Sequence, residues 1–434
     1  MRSSKAAVWY AMIVLFSINA LNFFDRNILG AVGEPIRKEF ELSDSSLGAL
    51  GTAFILLYAV IGIPLGRLAD RSGRKLILSA GVFLWSILTA ASGVAQNFGQ
   101  MFALRLGVGV GEASCAPASA SLIGDLFPSD RRGRAVSVFM LGLPVGIALS
   151  FAVSGTIAKY YGWRSAFLLA GIPGILLAAA ALFIREPIRG ANDAAKAEIH
   201  SGSPYRKILA SPTMRWLILS GILHNFCMYS VSGFLTPFLM RYHGLDIQKA
   251  NLAAMVINGI LTIPGLFLGG VIGDAAKKMR PNGALIVATA ACFLAAPCYY
   301  LALGIAQGDV YPFVLLMGTA IALVYFYYPI VYSTIQNITP PELRGTAMSV
   351  YFLVMYLLGG ALGPYVVGTI SDYFTKSAAV TTGGVDMSAT ALEPFKAVGL
   401  HSAMYVIPVL SFLLAVVLLM AARSIVRESE PTGN

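Results

Sequence analysis

Charged residues are scarce in this chain. They make up 12% of its 434 residues, whereas 57% are hydrophobic, and the mean hydropathy is +0.74. A soluble globular domain carries roughly 25% charged residues. The apolar residues occur in runs of about 18 to 25, the length that crosses about 30 Å of hydrocarbon as a helix. The composition therefore excludes a soluble domain and predicts an all-α integral membrane protein.

Short alternating apolar segments, which are typical of membrane β-barrels, are also lacking. The first run resembles a secretory signal in its basic start, but its apolar stretch is too long, so we interpret it as a retained helix. We predict twelve transmembrane helices over residues 8–30, 46–66, 76–96, 98–124, 135–158, 165–184, 215–239, 249–272, 283–305, 310–336, 346–371 and 399–422.

Cysteine and the motifs of enzymes are equally rare. The four cysteines, Cys115, Cys227, Cys292 and Cys298, all fall within predicted spans, so we expect packing residues and no external disulfide framework. The sequence has no HExxH or GxSxG motif and no histidine cluster, which argues against a lipid enzyme. It also has no P-loop, which excludes ATP as the direct drive. We expect no metal and no cofactor.

The net charge of +10 comes from basic residues in alternate loops. These residues are Arg67, Arg71, Arg74, Lys75, Arg131, Arg132, Arg134, Arg185, Arg189, Arg206, Lys207, Lys277, Lys278 and Arg280. The intervening loops carry few. This pattern follows the positive-inside rule, which predicts that both termini are cytoplasmic and accounts for the charge without a nucleic-acid partner.

The chain repeats itself. RRGRAVSV at 131–138 recurs as LRGTAMSV at 343–350, SGTIAKYY at 154–161 recurs as VGTISDYF at 367–374, and GRLAD ending at Asp70 has a weaker echo in GVIGD ending at Asp274. Three echoes in the same order predict two six-helix bundles, residues 1–190 and 215–434, joined by a cytoplasmic linker at 191–214. Halves of this kind enclose a cavity at mid-depth and rock around it, an architecture that moves solutes.

The stretch GRLADRSGRKLIL at 66–78 follows the second span. It resembles the signature loop of the major facilitator superfamily at every required position. The resemblance implies two pseudo-symmetric six-helix bundles and a cytoplasmic latch formed by Asp70 and Arg74. We expect Gly66 to allow close helix packing and Gly73 to form the tight turn. The predicted gating set is Gly66, Asp70, Gly73, Arg74, Asp125, Arg132, Asp274 and Arg344.

Further motifs resemble the spinster branch of that superfamily. They are GEAS and APASASLIGDLFP in the fourth span, LPVG at 143–146, GWRSAF at 162–167 and GIPG at 171–174. In that branch, an aspartate of the first helix and an arginine and a glutamate of the fourth helix form a functional trio. These residues match Asp25, Arg105 and Glu112.

An ionisable side chain at mid-helix in a bilayer costs about 2.5–3.5 kcal/mol unless it faces a cavity or a partner. On the first helix Asn19, Asn22 and Arg26 share a stripe beside Asp25. On the fourth helix Arg105 and Glu112 share a face but lie about 10 Å apart along the axis, so each is available to the first helix.

We expect Asp25 and Glu112 to bind and release protons and Arg105 to attract an anionic or polar head group, with Asn22 also in the binding site. Arg26 either contributes to binding, balances Asp25 or extends toward the interface. The alternative interpretation is a buried network that only fixes helix packing.

The second half carries almost no charge in its spans. Its candidate binding residues are His224, Asn225, Tyr229, Tyr325, Tyr328 and Tyr332. A charged wall opposite an aromatic wall suits an amphipathic solute, and the spinster resemblance implies lysolipids or sphingoid phosphates; a lipophilic drug-like compound also fits.

We therefore predict a monomeric, proton-coupled secondary transporter of the bacterial inner membrane, without enzymatic activity. Its partners are the solute, protons and the bilayer. The alternatives are an organic-anion:proton symporter, an uncoupled facilitator, a membrane sensor or an intramembrane lipid enzyme.

Overall fold

The computed structural model describes residues 5–71, 73–187, 204–340, 343–382 and 386–429. Within these ranges the chain is helical and contains no strand. The helices are α1 Lys5–Glu39, α2 Asp44–Arg71, α3 Arg74–Ser92, α4 Phe98–Glu112, α5 Cys115–Leu126, α6 Ser129–Met140, α7 Gly142–Tyr161, α8 Trp163–Leu182, α9 Pro204–Ala210, α10 Pro212–Arg241, α11 Ile247–Met255, α12 Thr262–Met279, α13 Gly283–Leu303, α14 Val310–Val324, α15 Tyr327–Ile338, α16 Arg344–Val354, α17 Leu362–Thr381, α18 Ala389–Leu392, α19 Lys396–Met404 and α20 Val406–Ser429. Two π-helical turns, Val256–Ile260 and Met355–Gly360, connect α11 to α12 and α16 to α17, and a 3-10 turn, Glu393–Phe395, precedes α19.

Eleven helical segments of the described residues are long and apolar enough to cross a membrane. The predicted span at 98–124 is not among them; it contains Arg105 and Glu112 and is divided into α4 and α5 at Ala113 and Ser114. Pro117 explains the division. Proline has no N–H to donate to the carbonyl four residues earlier, and its ring clashes with that carbonyl, which here belongs to Ala113.

The span at 310–336 is divided in the same way. Helix α14 has 15 residues and α15 has 12, the same lengths as α4 and α5. Pro329 is the third residue of α15, as Pro117 is the third residue of α5, and its ring opposes the carbonyl of Tyr325. The repeat detected in the sequence therefore extends to the position of a helix break.

The predicted linker at 191–214 is described only in its last part, and residues 191–203 lie outside the described residues. Helix α9 occupies 204–210, and α10 begins at Pro212. Ser211 caps α10, because its side chain accepts a hydrogen bond from the backbone N–H of Met214, and proline is favourable at the first helical position.

The chain forms two compact units. The first contains Met1–Leu42, Ala49–Lys196 and Asp246–Met255, and the second contains Ser43–Gly48, Ala197–Leu245 and Val256–Asn434. Each unit thus includes a short segment from the other half of the sequence. The bundle boundaries proposed above remain predictions.

Glycine permits the closest helix contacts of the first unit. A Cβ on Gly109 would lie 2.3 Å from the carbonyl oxygen of Phe54 on α2, and one on Gly146 would lie 2.1 Å from that of Ala20 on α1. No side chain fits at these distances, so α4 and α7 pack directly on the backbones of their neighbours.

The four cysteines are free thiols, and three of them are buried.

Candidate functional site

Glu112 anchors a buried polar cluster in the first unit. It is the last residue of α4, before the break that Pro117 causes, and it is 0% exposed. Its Oε2 accepts hydrogen bonds from Asn22 Nδ2 at 2.7 Å and from Arg26 Nε at 3.1 Å, both on α1. The carboxylate of Glu112 is therefore paired with a cation from a different helix.

Arg26 is held by aromatic rings as well as by Glu112. Its guanidinium carbon lies 4.1 Å from the ring centre of Tyr58, 5.0 Å from that of Phe23 and 5.5 Å from that of Phe54. The side chain is only 4% exposed. Arg26 thus neither extends to the interface nor serves as the counter-ion of Asp25: its carboxylate partner is Glu112. Helical spacing alone did not reveal Tyr58 and Phe54, which lie on α2.

Arg105 is hydrogen-bonded to the backbone of Asp25 and not to its carboxylate. Arg105 donates from Nη2 to the backbone oxygen of Asp25 at 3.2 Å, while its Nε and Nη1 have no hydrogen-bond partner among the described residues. Both carboxylate oxygens of Asp25 are likewise without a hydrogen bond within the described part of the chain, and the residue is 0% exposed. The indole of Trp85 and the hydroxyl of Thr89 approach the carboxylate without closing a hydrogen bond.

The cluster therefore contains two chemically distinct carboxylates. Glu112 is stabilised by a guanidinium and an amide, whereas Asp25 is buried with unsatisfied oxygens next to a guanidinium that also has unused donors. A buried, unpaired carboxylate favours its protonated form. Arg105 has donors available for an anionic or polar group.

An aromatic cluster occupies the second unit. The ring of His224, on α10, stacks on Tyr327 with ring centres 4.1 Å apart and meets Tyr328 edge-on at 4.7 Å. The Tyr327 hydroxyl is hydrogen-bonded to Ser220 at 2.7 Å and to Tyr351 at 2.8 Å. His224 is fully buried.

The predicted tyrosines follow one another along α15 and the break before it. Ring centres are 5.3 Å apart for Tyr325 and Tyr328 and 5.6 Å apart for Tyr328 and Tyr332. Tyr229 lies 6.2 Å from Tyr356, a residue of the second π-helical turn that the sequence analysis missed. Tyr327 and Tyr351 were also missed, although aromatic spacing at 351, 352 and 356 was a usable signal.

Asn225 has a local partner. Its Nδ2 donates to the backbone oxygen of Gly221 at 3.2 Å, and the side chain is 1% exposed. A Cβ on Gly359 of the second π-helical turn would lie 3.1 Å from the Cβ of Asn225. This turn therefore packs directly on α10 at the candidate binding residues.

Arg74 is the centre of the signature loop. It is 1% exposed, pairs through Nη1 with Asp125, and pairs through Nε with Glu186 at 3.1 Å. Glu186 Oε1 also accepts the backbone N–H of Arg74 at 2.8 Å, and Arg74 Nη2 donates to the Pro187 carbonyl at 2.8 Å. The structure thus joins two predicted gating residues, Arg74 and Asp125, and adds Glu186, which sequence reasoning missed.

The glycines and the aspartate of the same loop are less informative. Gly73 is the N-cap residue of α3 with φ −61° and ψ 113°, a conformation open to any residue, so the tight turn expected there is not the reason for glycine. Gly66 and Asp70 belong to α2, but their side-chain positions lie outside the described part of the structure.

Arg132 and Arg344 hold equivalent positions in the two repeats. Arg132 donates from Nη2 to the Gly124 carbonyl at 2.7 Å, and Arg344 donates from Nε to the Gln336 carbonyl at 2.8 Å, each eight residues back. Both carbonyls belong to the last turn of a helix, where such groups lack helical partners. The two arginines therefore cap α5 and α15, and Asp274 is exposed on α12.

A second buried ionic network in the second unit was not predicted. Asp44 Oδ2 accepts from Arg241 at 2.9 Å and from Ser371 at 2.6 Å. Asp372 accepts the backbone N–H groups of Asp44 and Ser45, both at 2.9 Å, and pairs with Lys396 at 3.2 Å. This network fixes the first turn of α2, because it satisfies the free N–H groups there.

Known proteins with similar sequences cover most of the chain. Residues 15–364 match the Major Facilitator Superfamily. The chain is 30% identical to protein spinster homolog 1 of Mus musculus, over 84% of this chain and 73% of that protein. It is 28% identical to an MFS-type efflux pump of Mycolicibacterium smegmatis, over 86% of this chain and 87% of that protein.

A solved structure agrees with these matches. The crystal structure of a bacterial homolog of the human lysosomal transporter spinster, inward-facing and unoccupied, superposes with a TM-score of 0.89 at 28% identity, over 99% of this chain and 100% of that one. The predicted fold and family are confirmed, and the relatives indicate a transporter rather than an enzyme. This multi-pass integral membrane protein belongs to the Major Facilitator Superfamily and, within it, to the spinster branch.

Proposed function

We propose that this transporter moves an amphipathic solute by alternating access, driven by a proton gradient that acts through Asp25 and Glu112. One observation carries the proposal: the carboxylate of Asp25 is fully buried with both oxygens unsatisfied within the described residues, beside a guanidinium with two unused donor nitrogens. Such an arrangement is costly as a purely structural element. The same arrangement serves transport if Asp25 exchanges protons and Arg105 binds a polar group of the solute.

The solute class follows from the chemistry of the two units. The first unit offers a guanidinium and two carboxylates, which suit a charged or polar head. The second offers a cluster of stacked aromatic rings, which suits an apolar tail. A lysolipid or a sphingoid phosphate has both parts, and so does a lipophilic drug-like compound.

In the proposed cycle, Glu112 and Asp25 act in turn. When Glu112 takes a proton, its attraction for the charge of Arg26 falls, while the guanidinium keeps its contacts with the rings of Tyr58, Phe23 and Phe54. When Asp25 loses its proton, it attracts Arg105 away from an anionic head. Protonation would thus change the charge available to the solute, which is the requirement for coupling.

Export is the second candidate direction. It is favoured by the similarity to the efflux pump of Mycolicibacterium smegmatis, which shares 28% of its aligned residues with this chain. A lipophilic dye and a lysolipid are therefore both needed as test solutes, and the imposed gradient must be applied in both directions.

The test is flux in proteoliposomes with an imposed pH gradient. We expect gradient-driven uptake of a fluorescent lysolipid or a lipophilic dye by the wild type. Asp25→Asn and Glu112→Gln should each lower this uptake at least about tenfold while solute binding is retained, because only the titrating group is removed.

Glu34→Gln is the matched control. Glu34 is also a buried carboxylate of α1, at 1% exposure, but its ion pair is with Arg37 of the same helix. It should transport normally if it folds, which size-exclusion profiles will show. Undiminished gradient-driven flux in both Asp25→Asn and Glu112→Gln would assign these residues to a packing network and make His224 the next coupling candidate.

A further inference from the structure

Asn258 is a buried amide outside the site described so far. It lies in the π-helical turn Val256–Ile260 of the second unit and is 3% exposed. Neither its Oδ1 nor its Nδ2 has a hydrogen-bond partner among the described residues. Burying an amide without such partners costs free energy of folding. A purely structural role would not compensate for this cost.

The π-helical turn explains how this amide comes to be buried. The N–H of Leu261 donates to the carbonyl of Val256 at 2.9 Å, a span of five residues instead of four. The extra residue allows Ile257, Asn258 and Gly259 to be buried in succession, whereas Ile260 is exposed. Turns of this kind are rare and occur frequently at functional sites.

The helix that packs on this turn offers no polar partner. The turn contacts α14, whose buried residues are Phe313, Met317, Gly318, Ala320, Ile321 and Val324. The side chain of Leu261, which follows the turn, packs on Gly318 of α14, where an added Cβ would lie 2.2 Å from Leu261 Cδ1. Thr262, the nearest hydroxyl in sequence, already donates to the Gly259 carbonyl at 2.7 Å.

Asn251 shows what a structural asparagine looks like in the same membrane span. It is 0% exposed, and its Nδ2 donates to the Ala31 carbonyl at 2.9 Å and to the Ile247 carbonyl at 2.8 Å. Its amide thus joins α11 to α1 within the first unit. Both asparagines are buried, but only the side-chain amide of Asn251 has hydrogen-bond partners among the described residues.

We propose that Asn258 binds a hydroxyl or amide group of the transported solute. The inference rests on the proposed function and specifies its substrate class. An asparagine side chain presents one acceptor and two donor hydrogens, and both kinds of site are unused here. A phosphate dianion would leave Oδ1 unpaired and an ammonium would leave Nδ2 unpaired, whereas a hydroxyl or an amide both donates and accepts.

The experiment compares two probes in proteoliposomes. One is a fluorescent 1-acyl lysophosphatidic acid with its free glycerol hydroxyl, and the other is the 2-deoxy analogue that lacks it. We expect the wild type to transport the hydroxyl probe with kcat/KM about three- to tenfold above the deoxy probe, the value of one hydrogen bond. Asn258→Leu should abolish this preference by raising KM for the hydroxyl probe alone.

Thermal unfolding in detergent distinguishes binding from a structural role. Asn258→Leu should melt at or above the wild-type temperature, because it removes an unsatisfied amide, whereas Asn251→Leu should melt lower. A preference that persists in Asn258→Leu, or a fall in melting temperature as large as that of Asn251→Leu, would overturn the assignment. If the wild type moves neither probe, lysolipid transport fails as a function, and the unfolding comparison still decides whether Asn258 is structural.

Discussion

Two carboxylates that are equally buried differ in their partners, and this difference organises the candidate site. Glu112 is neutralised by Arg26 and hydrogen-bonded by Asn22, while Asp25 is adjacent to Arg105 only through its own backbone oxygen. Helical spacing places Asn22 and Arg26 on one face of α1, but it does not specify which acidic residue each contacts. The choice depends on how α4 packs on α1 and α2.

The ion pair of Arg26 and Glu112 should behave as a strongly coupled unit in stability measurements. Arg26→Met leaves Glu112 buried without its cation, and we expect a loss of about 3–5 kcal/mol in unfolding free energy. The double variant Arg26→Met, Glu112→Gln should lose much less than the sum of the single changes. Melting temperatures of the four proteins in one detergent measure this, and additive effects would mean that the pair is not coupled.

Several helix boundaries in this chain have one local cause, a proline in the first turn of the following helix. The breaks before α5 and α15 follow from Pro117 and Pro329, whose effects are local and can be read from the sequence. The π-helical turns at 256–260 and 355–360 contain no proline, but each ends four residues before one, so that Pro264 opposes the carbonyl of Ile260 and Pro364 that of Gly360. All four breaks therefore lie at the same distance before a proline.

The start of α11 offers a test of a helix cap. Asp246 Oδ1 accepts the backbone N–H groups of Gln248 at 3.0 Å and Lys249 at 3.1 Å and lies 3.6 Å from Lys159 Nζ. The hydrogen bond from the Lys249 N–H, aided by the charge of Lys159, lowers the pKa of Asp246 below its ordinary value. Asp246→Ala should cost about 1 kcal/mol of stability at neutral pH.

This cost should depend on pH. Because the pKa is lower in the folded than in the unfolded protein, the stabilisation is present above the unfolded value of about 3.9 and is lost as the pH falls through the folded value. Melting curves of wild type and Asp246→Ala should therefore converge in acid. Asp309→Ala is the control, since Asp309 precedes α14 without a side-chain capping bond; an equal loss in both variants would contradict the capping role.

At the scale of the whole molecule, the distribution of charge predicts the orientation in the membrane. Basic residues concentrate in alternate loops, among them Arg74, Lys75, Lys277 and Lys278, whereas residues 304–309 between α13 and α14 carry none. Cytoplasmic loops retain such residues during insertion. With an even number of spans, this rule predicts that both termini lie in the cytoplasm.

Reporter fusions test this orientation. Green fluorescent protein fused after Asn434 should fluoresce, because it folds on the cytoplasmic side, and alkaline phosphatase inserted near residue 306 should be active on the outside. Alkaline phosphatase fused after Asn434 is the control and should be inactive. The reverse pattern of activities would overturn the predicted topology.

The sequence by itself determined the membrane class, the family and eleven of the twelve spans, which the structure contains as long apolar helical segments. Hydropathy, loop charge, motif spacing and proline act within a few residues, so they can be read directly along the chain. Only the tertiary structure decided that Arg26 pairs with Glu112, that Glu186 joins Arg74, and that Asn258 is buried without partners. These features depend on the packing of helices that are distant in sequence, where the distance between two backbones determines which side chains meet.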